Sequence, residues 1–435
     1  MAQFRKDTHV YLDQEKTIFE VVMLSDQYGN LVGPANPSGA AVDAFGRARM
    51  SQPLTLFDSF HRYRENDKWN TSNTNSGTST YTYNADSSSI SMSVTTSNGA
   101  NVIRETSKTF AYQPGKSLQV LNTFNMAPAQ TGLTQKVGYF GTQNGVYLEQ
   151  ANSVASFVVR SFSTGALVED RAAQSSWNID RLDGTGPSLI TLDLTKAQIF
   201  WTDIEWLGVG TVRCGFVIDG RLIHCHSFHH ANKTQGTYMT TACLPLRAEI
   251  YNTSATGNNS TMNLICNSVI SEGGYDLRGD QYTAGQLPNN SYTLTTAGVF
   301  YPVVAIRLRS DRPDAIVIPV NFSVLGLTGN GTRIAYKIVD GATVTGGTWV
   351  NADTHSAVQY NITATSFTGG SSYTQAYQAV NNQGSVSSNA LNRDIFRHQL
   401  QRNTFTGANS VMVLAVAGAG NLDTCIASLD WQEIT

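Results

Sequence analysis

The sequence is poor in charged residues and in long apolar runs. Only 14% of its 435 residues are Asp, Glu, Lys or Arg, and the formal net charge is −3. Ordinary soluble domains carry about 25% charged residues. Because no basic cluster of the kind that neutralises phosphates is present, we expect no nucleic-acid partner. No apolar run approaches the roughly 18 residues of a membrane-spanning helix, so we expect no membrane span.

Cysteine is also scarce, with five residues at irregular intervals. This number and spacing predict no disulfide framework. The first residues, MAQFRKDTHVYLDQEK, lack the apolar core of a secretory signal peptide. We therefore expect the chain to fold in a reducing cytoplasm.

Glycine, serine, threonine and asparagine take the place of charged residues, and the chain contains 37 glycines. These residues favour turns and a neutral surface rich in hydroxyl and amide groups. Apolar residues alternate with serine at Ile90, Met92 and Val94, which is the period-2 pattern of a half-buried strand. The composition and this pattern together predict an all-β protein.

Two dipeptides mark hairpins within the region of alternating residues. Asn144-Gly145 and Asp219-Gly220 predict two-residue turns, because both central residues of a type I′ turn need a positive φ. Strands separated by such turns are typical of antiparallel sandwiches. The sequence therefore predicts a β-sandwich over residues 51–275.

Residues 1–50 differ from this region in pattern. Phe19, Val21, Val22 and Leu24 form a short apolar stretch, and prolines and glycines follow it and break regular structure. We expect an attachment arm that buries these apolar groups against a partner protein, as an added strand does. The alternative is an ordinary first strand of the sandwich.

The C-terminal third has strand patterns of its own. Residues 276–291 show little apolar periodicity and are predicted to be a linker. Alternating segments such as 303–309, 411–417 and 425–434 then predict a second, smaller β domain over 292–435.

The segment from Phe200 to His230 holds the candidate metal ligands. A two-residue turn at Asp219-Gly220 would pair Cys214 with Cys225 at a hydrogen-bonded position, which is too wide for an easy disulfide. The opposite face would then carry both His224 and His226, and two imidazoles on one strand face suit zinc or copper. No third ligand stands at a recognisable spacing, so we favour a half-exposed strand end without a metal for the two histidines. For Cys214 and Cys225 we favour buried thiols in the core.

The same segment holds a close carboxylate pair, Asp203 and Glu205. Retaining glycosidases use two carboxylates about 5–5.5 Å apart, and some sandwich enzymes carry them on one strand as Glu-x-Asp-x-Glu. Trp201 occupies the first position of that motif here, so the nucleophile is missing. A turn at 207–209 would place Asp203 opposite Arg213, and a cross-strand ion pair is the favoured interpretation.

Two further features bear on binding. Trp201, Tyr81 and Tyr83 are candidate exposed aromatics that would stack on sugar rings. The loop from Asp180 to Pro187 contains two carboxylates and glycines, which would suit either a calcium ion or a simple turn. The turn is favoured, and we expect no cofactor.

Several segments resemble a family of structural proteins of tailed phages, best known from marine cyanobacterial and related phages. The segments are Ala44–Arg49 with Leu56–Ser59, Tyr112–Ser117, Gln174–Asn178 with Leu182–Ser188, Glu205–Gly210, and Val269–Gly274. The resemblance implies a virion component with a concanavalin-like sandwich, and it implies no catalytic residues. It leaves the position on the virion (head, neck or tail) open.

These observations lead to one expectation and one alternative. We expect a non-enzymatic virion structural protein, made in the host cytoplasm, that contacts other virion proteins and forms a homo-oligomer, with a trimer as one candidate state. The alternative is a receptor-binding or glycan-binding module for the host surface or, less favoured, a polysaccharide depolymerase. The candidate binding residues are Trp201, Asp203, Glu205, Arg213, His224 and His226.

Overall fold

A computed structural model describes residues 52–73, 77–327, 333–379, 387–390 and 398–434, with only the backbone described for 387–390. The described residues from Pro53 onward cluster as one compact unit. Within the described ranges the elements are β-strands and one short 3-10 turn, and no helix has the length and hydropathy to cross a membrane. The expected attachment residues Phe19, Val21, Val22 and Leu24 lie outside the described residues.

The first half of the unit forms two antiparallel sheets. The strands are β1 (Leu54–Phe60), β2 (Trp69–Ser72), β3 (Ser79–Asn84), β4 (Ser89–Val94), β5 (Asn101–Thr106), β6 (Leu118–Asn125), β7 (Leu133–Phe140), β8 (Gly145–Ala151), β9 (Val154–Ser161), β10 (Val168–Ala173), β11 (Gln198–Ile204), β12 (Thr211–Ile218), β13 (Arg221–His229), β14 (Leu246–Asn252) and β15 (Ser260–Ser271). One sheet has the order β13-β12-β11-β6-β15-β4-β3, with β1 also paired to β15, and the other has the order β10-β9-β8-β7-β14-β5-β2.

The core of this half lies between the two sheets. The predicted alternation is confirmed, because Ile90, Met92 and Val94 are buried within one continuous apolar cluster. Phe157 of one sheet stacks on Phe200 of the other with ring centroids 5.6 Å apart. Burying each such side chain contributes about 1.5–3 kcal/mol. The arrangement is an antiparallel sandwich of the concanavalin-like kind.

The two predicted hairpins differ in outcome. Asp219 and Gly220 form a two-residue turn with φ of 50° and 71°, as predicted. The hairpin at Asn144-Gly145 is wider than predicted, because Gly145 is already in β8 and pairs with Phe140. Residues 141–144 make the turn, closed by the N–H of Gly141 donating to the carbonyl of Asn144 at 2.8 Å.

The second half forms its own sheets. The strands are β16 (Asp280–Gly285), β17 (Tyr292–Leu294), β18 (Tyr301–Leu308), β19 (Ile316–Gly326), β20 (Arg333–Asp340), β21 (Thr343–Thr345), β22 (Val350–Asn351), β23 (Val358–Asn361), β24 (Ser366–Thr368), β25 (Ser371–Ala379), β26 (Ser387–Ala390), β27 (Val411–Gly418) and β28 (Asp423–Ile434). One sheet has the order β16-β28-β19-β26, another has the order β22-β23-β18-β27-β20-β25, and β21 pairs with β24. A second apolar cluster, which includes Phe322 and Trp431, fills the space between the larger sheets.

The predicted linker 276–291 contains a strand. β16 pairs with β28 from Asp280 opposite Glu433 to Gly285 opposite Ser428. Ala284 is the one buried residue of β16, so the segment lacks the apolar alternation that would have marked it as a strand. Backbone hydrogen bonds to β28 hold the segment in the sheet, and such bonds leave no pattern in the side chains.

The two halves are joined by both apolar and ionic contacts. Ile316 and Ile318 of β19 belong to the core of the first half. The Arg402 guanidinium lies 3.2 Å from a carboxylate oxygen of Glu105 and 3.0 Å from one of Asp314. Buried cations need such partners, because an unpaired charge in the interior is costly.

Candidate functional site

The candidate site lies on the face of the eight-stranded sheet that points away from the sandwich core. In β11, Phe200, Thr202 and Ile204 are fully buried. Because successive side chains of a strand point to opposite faces, Trp201 and Asp203 belong to the other face. We call this the outer face.

A groove opens at one end of the outer face, where β11 and β12 meet the start of β6. Its volume is about 410 Å³. The lining residues come from the segment before β6, from β11, from the loop after β11 and from β12. They are Tyr112, Gly115, Lys116, Ser117, Asp203, Glu205, Leu207, Thr211 and Arg213. We call this the rim groove. It brings together the predicted residues Asp203, Glu205 and Arg213.

Asp203 stands at the floor of the rim groove. It pairs with Arg213 in register across β11 and β12, and the two side chains form a salt bridge, so the predicted cross-strand ion pair is confirmed. Asp203 is buried, whereas about half of the Arg213 side chain, 52%, is exposed. The Ser117 hydroxyl also contacts the Asp203 carboxylate.

Glu272 completes this cluster, and the sequence pattern did not single it out. The Ser117 hydroxyl lies 2.8 Å from a Glu272 carboxylate oxygen, and the Glu272 N–H donates to the Ser117 carbonyl at 2.9 Å. A serine has one hydroxyl hydrogen, so Ser117 donates to only one of its two carboxylate neighbours at a time. Glu272 follows β15, far from β11 in sequence, and only its place in a segment of family resemblance pointed to it.

The loop after β11 is held in a fixed shape. A carboxylate oxygen of Glu205 accepts the N–H of Thr211 at 3.2 Å, and the Tyr238 hydroxyl donates to the Glu205 carbonyl at 3.2 Å. The N–H of Trp206 donates to the Tyr112 hydroxyl at 3.1 Å. A Cβ at Gly210 would lie 2.2 Å from the Glu205 carbonyl oxygen, so this position requires glycine.

Two segments that carry the phage-protein resemblance line the rim groove, and a third contacts its wall. Tyr112–Ser117 supplies the turn before β6, Glu205–Gly210 supplies the loop after β11, and Val269–Gly274 ends β15 and supplies Glu272. Contacts between Tyr112 and Trp206, whose ring centroids lie 5.9 Å apart, join the first two segments. Segments distant in the chain therefore meet at one place in the fold.

Trp201 does not serve as an exposed platform, contrary to prediction. It is 5% exposed, and its ring lies against Gly215 and 5.7 Å from the His224 ring. A glycine stands opposite it in β12, so the large indole lies flat on the sheet instead of projecting into solvent. Its indole N–H has no hydrogen-bond partner among the described residues.

Of the other two predicted exposed aromatics, Tyr81 is exposed and Tyr83 is half-buried, and neither lies on the outer face. They pair with Met92 and Ile90 of β4, which are fully buried. Paired residues share a face, so both tyrosines lie on the core side of the sheet edge. Tyr83 packs against the sandwich core, and Tyr81 is 39% exposed at the edge.

His224 and His226 do not share a face, contrary to prediction. The register shifts between Cys214 opposite His226 and Gly215 opposite His224, so Cys225 is the extra residue of a β-bulge. The His224 ring contacts Trp201. The His226 ring centroid lies 4.4 Å from that of Phe228, and Nδ1 of His226 accepts the N–H of Asn178 at 3.2 Å. Among the described residues, no group of three His, Cys, Asp or Glu side chains is arranged to hold a metal ion.

The Asp180–Pro187 loop uses its carboxylates as turn acceptors. Asp180 accepts the N–H of Leu182 at 3.0 Å and that of Ser188 at 2.8 Å. Asp183 accepts the N–H of Thr185 at 2.9 Å, and the Thr185 hydroxyl beside it lowers the pKa of Asp183. The bonds from Leu182 and Thr185, each to a carboxylate two residues earlier, are those of Asx turns, and the bond from Ser188 closes the loop.

No protein-family model and no curated relative matches the chain. Among solved structures, a Bacillus licheniformis β-glucanase is similar at 12% identity over 51% of this chain and 99% of that chain, with a TM-score of 0.31. A legume lectin-like domain from Entamoeba histolytica is similar at 7% identity over 52% of this chain and 99% of that chain, with a TM-score of 0.30. A protein of unknown function from Shewanella oneidensis MR-1 is similar at 11% identity over 53% of this chain and 91% of that chain, with a TM-score of 0.34.

At these identities the likeness concerns the fold alone. The two antiparallel sheets of the first half form a concanavalin-like β-sandwich, as predicted. The sandwich of this chain carries the polar rim groove, and a second β unit follows the sandwich.

Proposed function

We propose that this protein is a non-enzymatic structural component of a tailed-phage particle, and that its rim groove binds a saccharide. The observation that carries the proposal concerns three segments by which the chain resembles phage structural proteins. Tyr112–Ser117 and Glu205–Gly210 line this groove, and Val269–Gly274 contacts its wall through Glu272 and Ser117. These segments are far apart in the sequence, so their meeting at one place supports a binding site there.

The groove has the chemistry that a polyhydroxylated ligand requires. Lys116 and Arg213 present hydrogen-bond donors, and Asp203 and Glu205 present acceptors, within one cavity. Sugar hydroxyls both donate and accept, so they pair with both kinds of group. Leu207, which is 55% exposed, offers an apolar contact at the edge.

The carboxylates are engaged in a way that favours binding over hydrolysis. Asp203 is neutralised by Arg213, and Glu205 accepts a backbone N–H from Thr211. Trp201 occupies the position at which the glycosidase motif has its nucleophile, and a buried indole cannot replace a carboxylate.

Binding is tested with the full chain on an array of bacterial surface glycans. We expect binding to at least one saccharide, and about a tenfold loss of affinity in Arg213→Ala, because a charge-assisted hydrogen bond is lost. Arg221→Ala is the matched control, since Arg221 is exposed on the same hairpin and outside the groove. Equal affinity of the two variants would refute the groove as the binding site.

A second candidate function, polysaccharide cleavage, rests on Asp203 and Glu205 sharing one groove. Incubation with the saccharide that binds should release no reducing ends. Release that is lost in Glu205→Gln would instead identify an enzyme.

The location on the particle and the attachment arm are tested separately. Mass spectrometry of purified particles should detect the protein in multiple copies, and sedimentation should show a homo-oligomer. Deleting residues 1–40 removes Phe19, Val21, Val22 and Leu24, and we expect a folded protein that no longer joins the particle. Insoluble product would mean that these residues belong to the core.

A further inference from the structure

A second cavity lies in the C-terminal half, at the start of β17 and β18. Its volume is about 340 Å³, and its walls include Tyr292, Tyr301, Asn290, Thr293 and Thr365. We call it the tyrosine cleft. It shares no residue with the rim groove.

The lining of the tyrosine cleft carries no formal charge. Its polar groups are hydroxyls and amides, supplied by Gln286, Asn290, Ser291, Thr293, Thr295, Thr363 and Thr365 in addition to the two tyrosines. The rim groove, by contrast, contains four charged side chains. A charged ligand would lose hydration in the cleft without gaining an ionic partner, so the cleft suits an uncharged ligand.

The two tyrosine rings are held in place before any ligand arrives. The Tyr292 hydroxyl donates to the carbonyl of Ala364 at 2.5 Å, and the Tyr301 hydroxyl lies 2.6 Å from the Thr295 hydroxyl. The ring centroids are 6.3 Å apart, with planes inclined by 49°. Both rings are half-buried, so each keeps part of its surface open to the cleft. Fixed rings lose little entropy when a ligand packs against them.

Polar groups remain available around these rings. Asn290, Ser291 and Thr293 are exposed, and their side chains make no hydrogen bond with the rest of the described chain. Gln286, by contrast, fixes the floor, since its amide donates to the Val303 carbonyl at 2.6 Å and accepts the Ala427 N–H at 2.9 Å.

We propose that the tyrosine cleft is a second binding site, specific for an uncharged saccharide. The C–H face of a sugar ring would pack on Tyr301, where the negative ring face attracts it, and the sugar hydroxyls would bond to Asn290, Ser291 and Thr293. This site is independent of the rim groove, so either site stands if the other fails.

The test uses saturation-transfer NMR and calorimetry on the full chain. The probes are uncharged hexasaccharides of glucose, mannose and galactose, and a hexasaccharide of galacturonate. We expect an uncharged probe to bind, with affinity reduced about tenfold in Tyr301→Ala and nearly retained in Tyr301→Phe, which keeps the ring. Thr293→Glu, an exposed substitution that places a charge in the cleft, should also weaken binding while leaving the thermal midpoint unchanged.

The groove variant Arg213→Ala separates the two sites. Affinity for the uncharged probe should be the same in Arg213→Ala as in the unaltered protein. Three results would overturn the proposal. The first is loss of that affinity in Arg213→Ala but not in Tyr301→Ala. The others are binding of galacturonate as tight as that of the uncharged probe, and no binding of any uncharged probe.

Discussion

Cys214 lies opposite His226 in the β12–β13 hairpin, and not opposite Cys225. The two-residue turn at Asp219-Gly220 sets the register as far as Gly215, and one extra residue then shifts it. The shift separates the two thiols in the ladder and turns His226 away from the face of His224. One bulge therefore removes both the cysteine pair and the histidine pair that the sequence suggested.

The first prediction concerns these thiols. Burial raises the pKa of the Cys214 thiol well above its usual range, and it raises the pKa of Cys225 as well, so neither forms the reactive thiolate readily. We expect Cys214, Cys225 and the buried Cys425 to resist iodoacetamide in the folded protein and to react in denaturant. The half-buried Cys266 should be labelled sooner. A peptide in which Cys214 is linked to Cys225 would contradict this prediction.

The second prediction concerns acid stability. Burial lowers the pKa of His226 to about 4, and burial together with the nearby Arg104 lowers the pKa of His61 to about 4. In the unfolded chain both histidines bind protons below about pH 6.5. Between pH 6.5 and pH 4 the unfolded state therefore binds more protons, and the free energy of unfolding falls as the pH falls.

Thermal midpoints measured across this range check the sign. We expect a loss of about 1 kcal/mol for each histidine after allowance for solvent screening. The His226→Gln variant should show a shallower decline than the unaltered protein, while His229→Gln, at an exposed position, should follow the unaltered curve. Identical curves for His226→Gln and the unaltered protein would show that His226 does not contribute.

Local features of this fold follow from the sequence, and features that depend on distant pairing do not. The strand predicted at 411–417 is β27, and the ion pair of Asp203 with Arg213 follows from counting outward from a short turn. The bulge at Cys225 has no sequence mark, because any residue can be the unpaired one. The strand β16 was missed because its stability comes from pairing with β28. Glu272 reaches Ser117 only when β15 and β6 are side by side.

The third prediction measures the ion pair of Asp203 and Arg213. Asp203 is buried, so removing Arg213 leaves a carboxylate whose one remaining hydrogen-bond partner among the described residues is Ser117. A double-mutant cycle of Asp203→Asn and Arg213→Gln should give a coupling of about 1 kcal/mol in the free energy of unfolding, since half of the arginine is in solvent. The exposed pair Arg64 and Asp67 is the control and should couple less. Equal coupling in both cycles would show that burial of Asp203 adds nothing.

The fourth prediction concerns Glu433, a carboxylate buried in the core of the C-terminal half. It is 2% exposed, and its two carboxylate oxygens accept three hydrogen bonds. One oxygen accepts from the Ser356 hydroxyl at 2.5 Å and from the Trp431 indole N–H at 2.8 Å. The other accepts from the Ala357 N–H at 2.6 Å. Glu433→Ala would leave these three buried donors without an acceptor.

Leaving buried donors unsatisfied is more costly than losing an exposed contact, so Glu433→Ala should lower the free energy of unfolding by about 2–4 kcal/mol. Glu433→Gln should cost less, because the amide keeps one acceptor oxygen, although its NH₂ group cannot accept from the remaining donors. Urea denaturation followed by tryptophan fluorescence measures both effects, and Asp170→Asn, at an exposed carboxylate, is the control. If Glu433→Ala unfolds at the same urea concentration as Asp170→Asn, then Ser356, Trp431 and Ala357 find other acceptors, and Glu433 does not anchor this half of the protein.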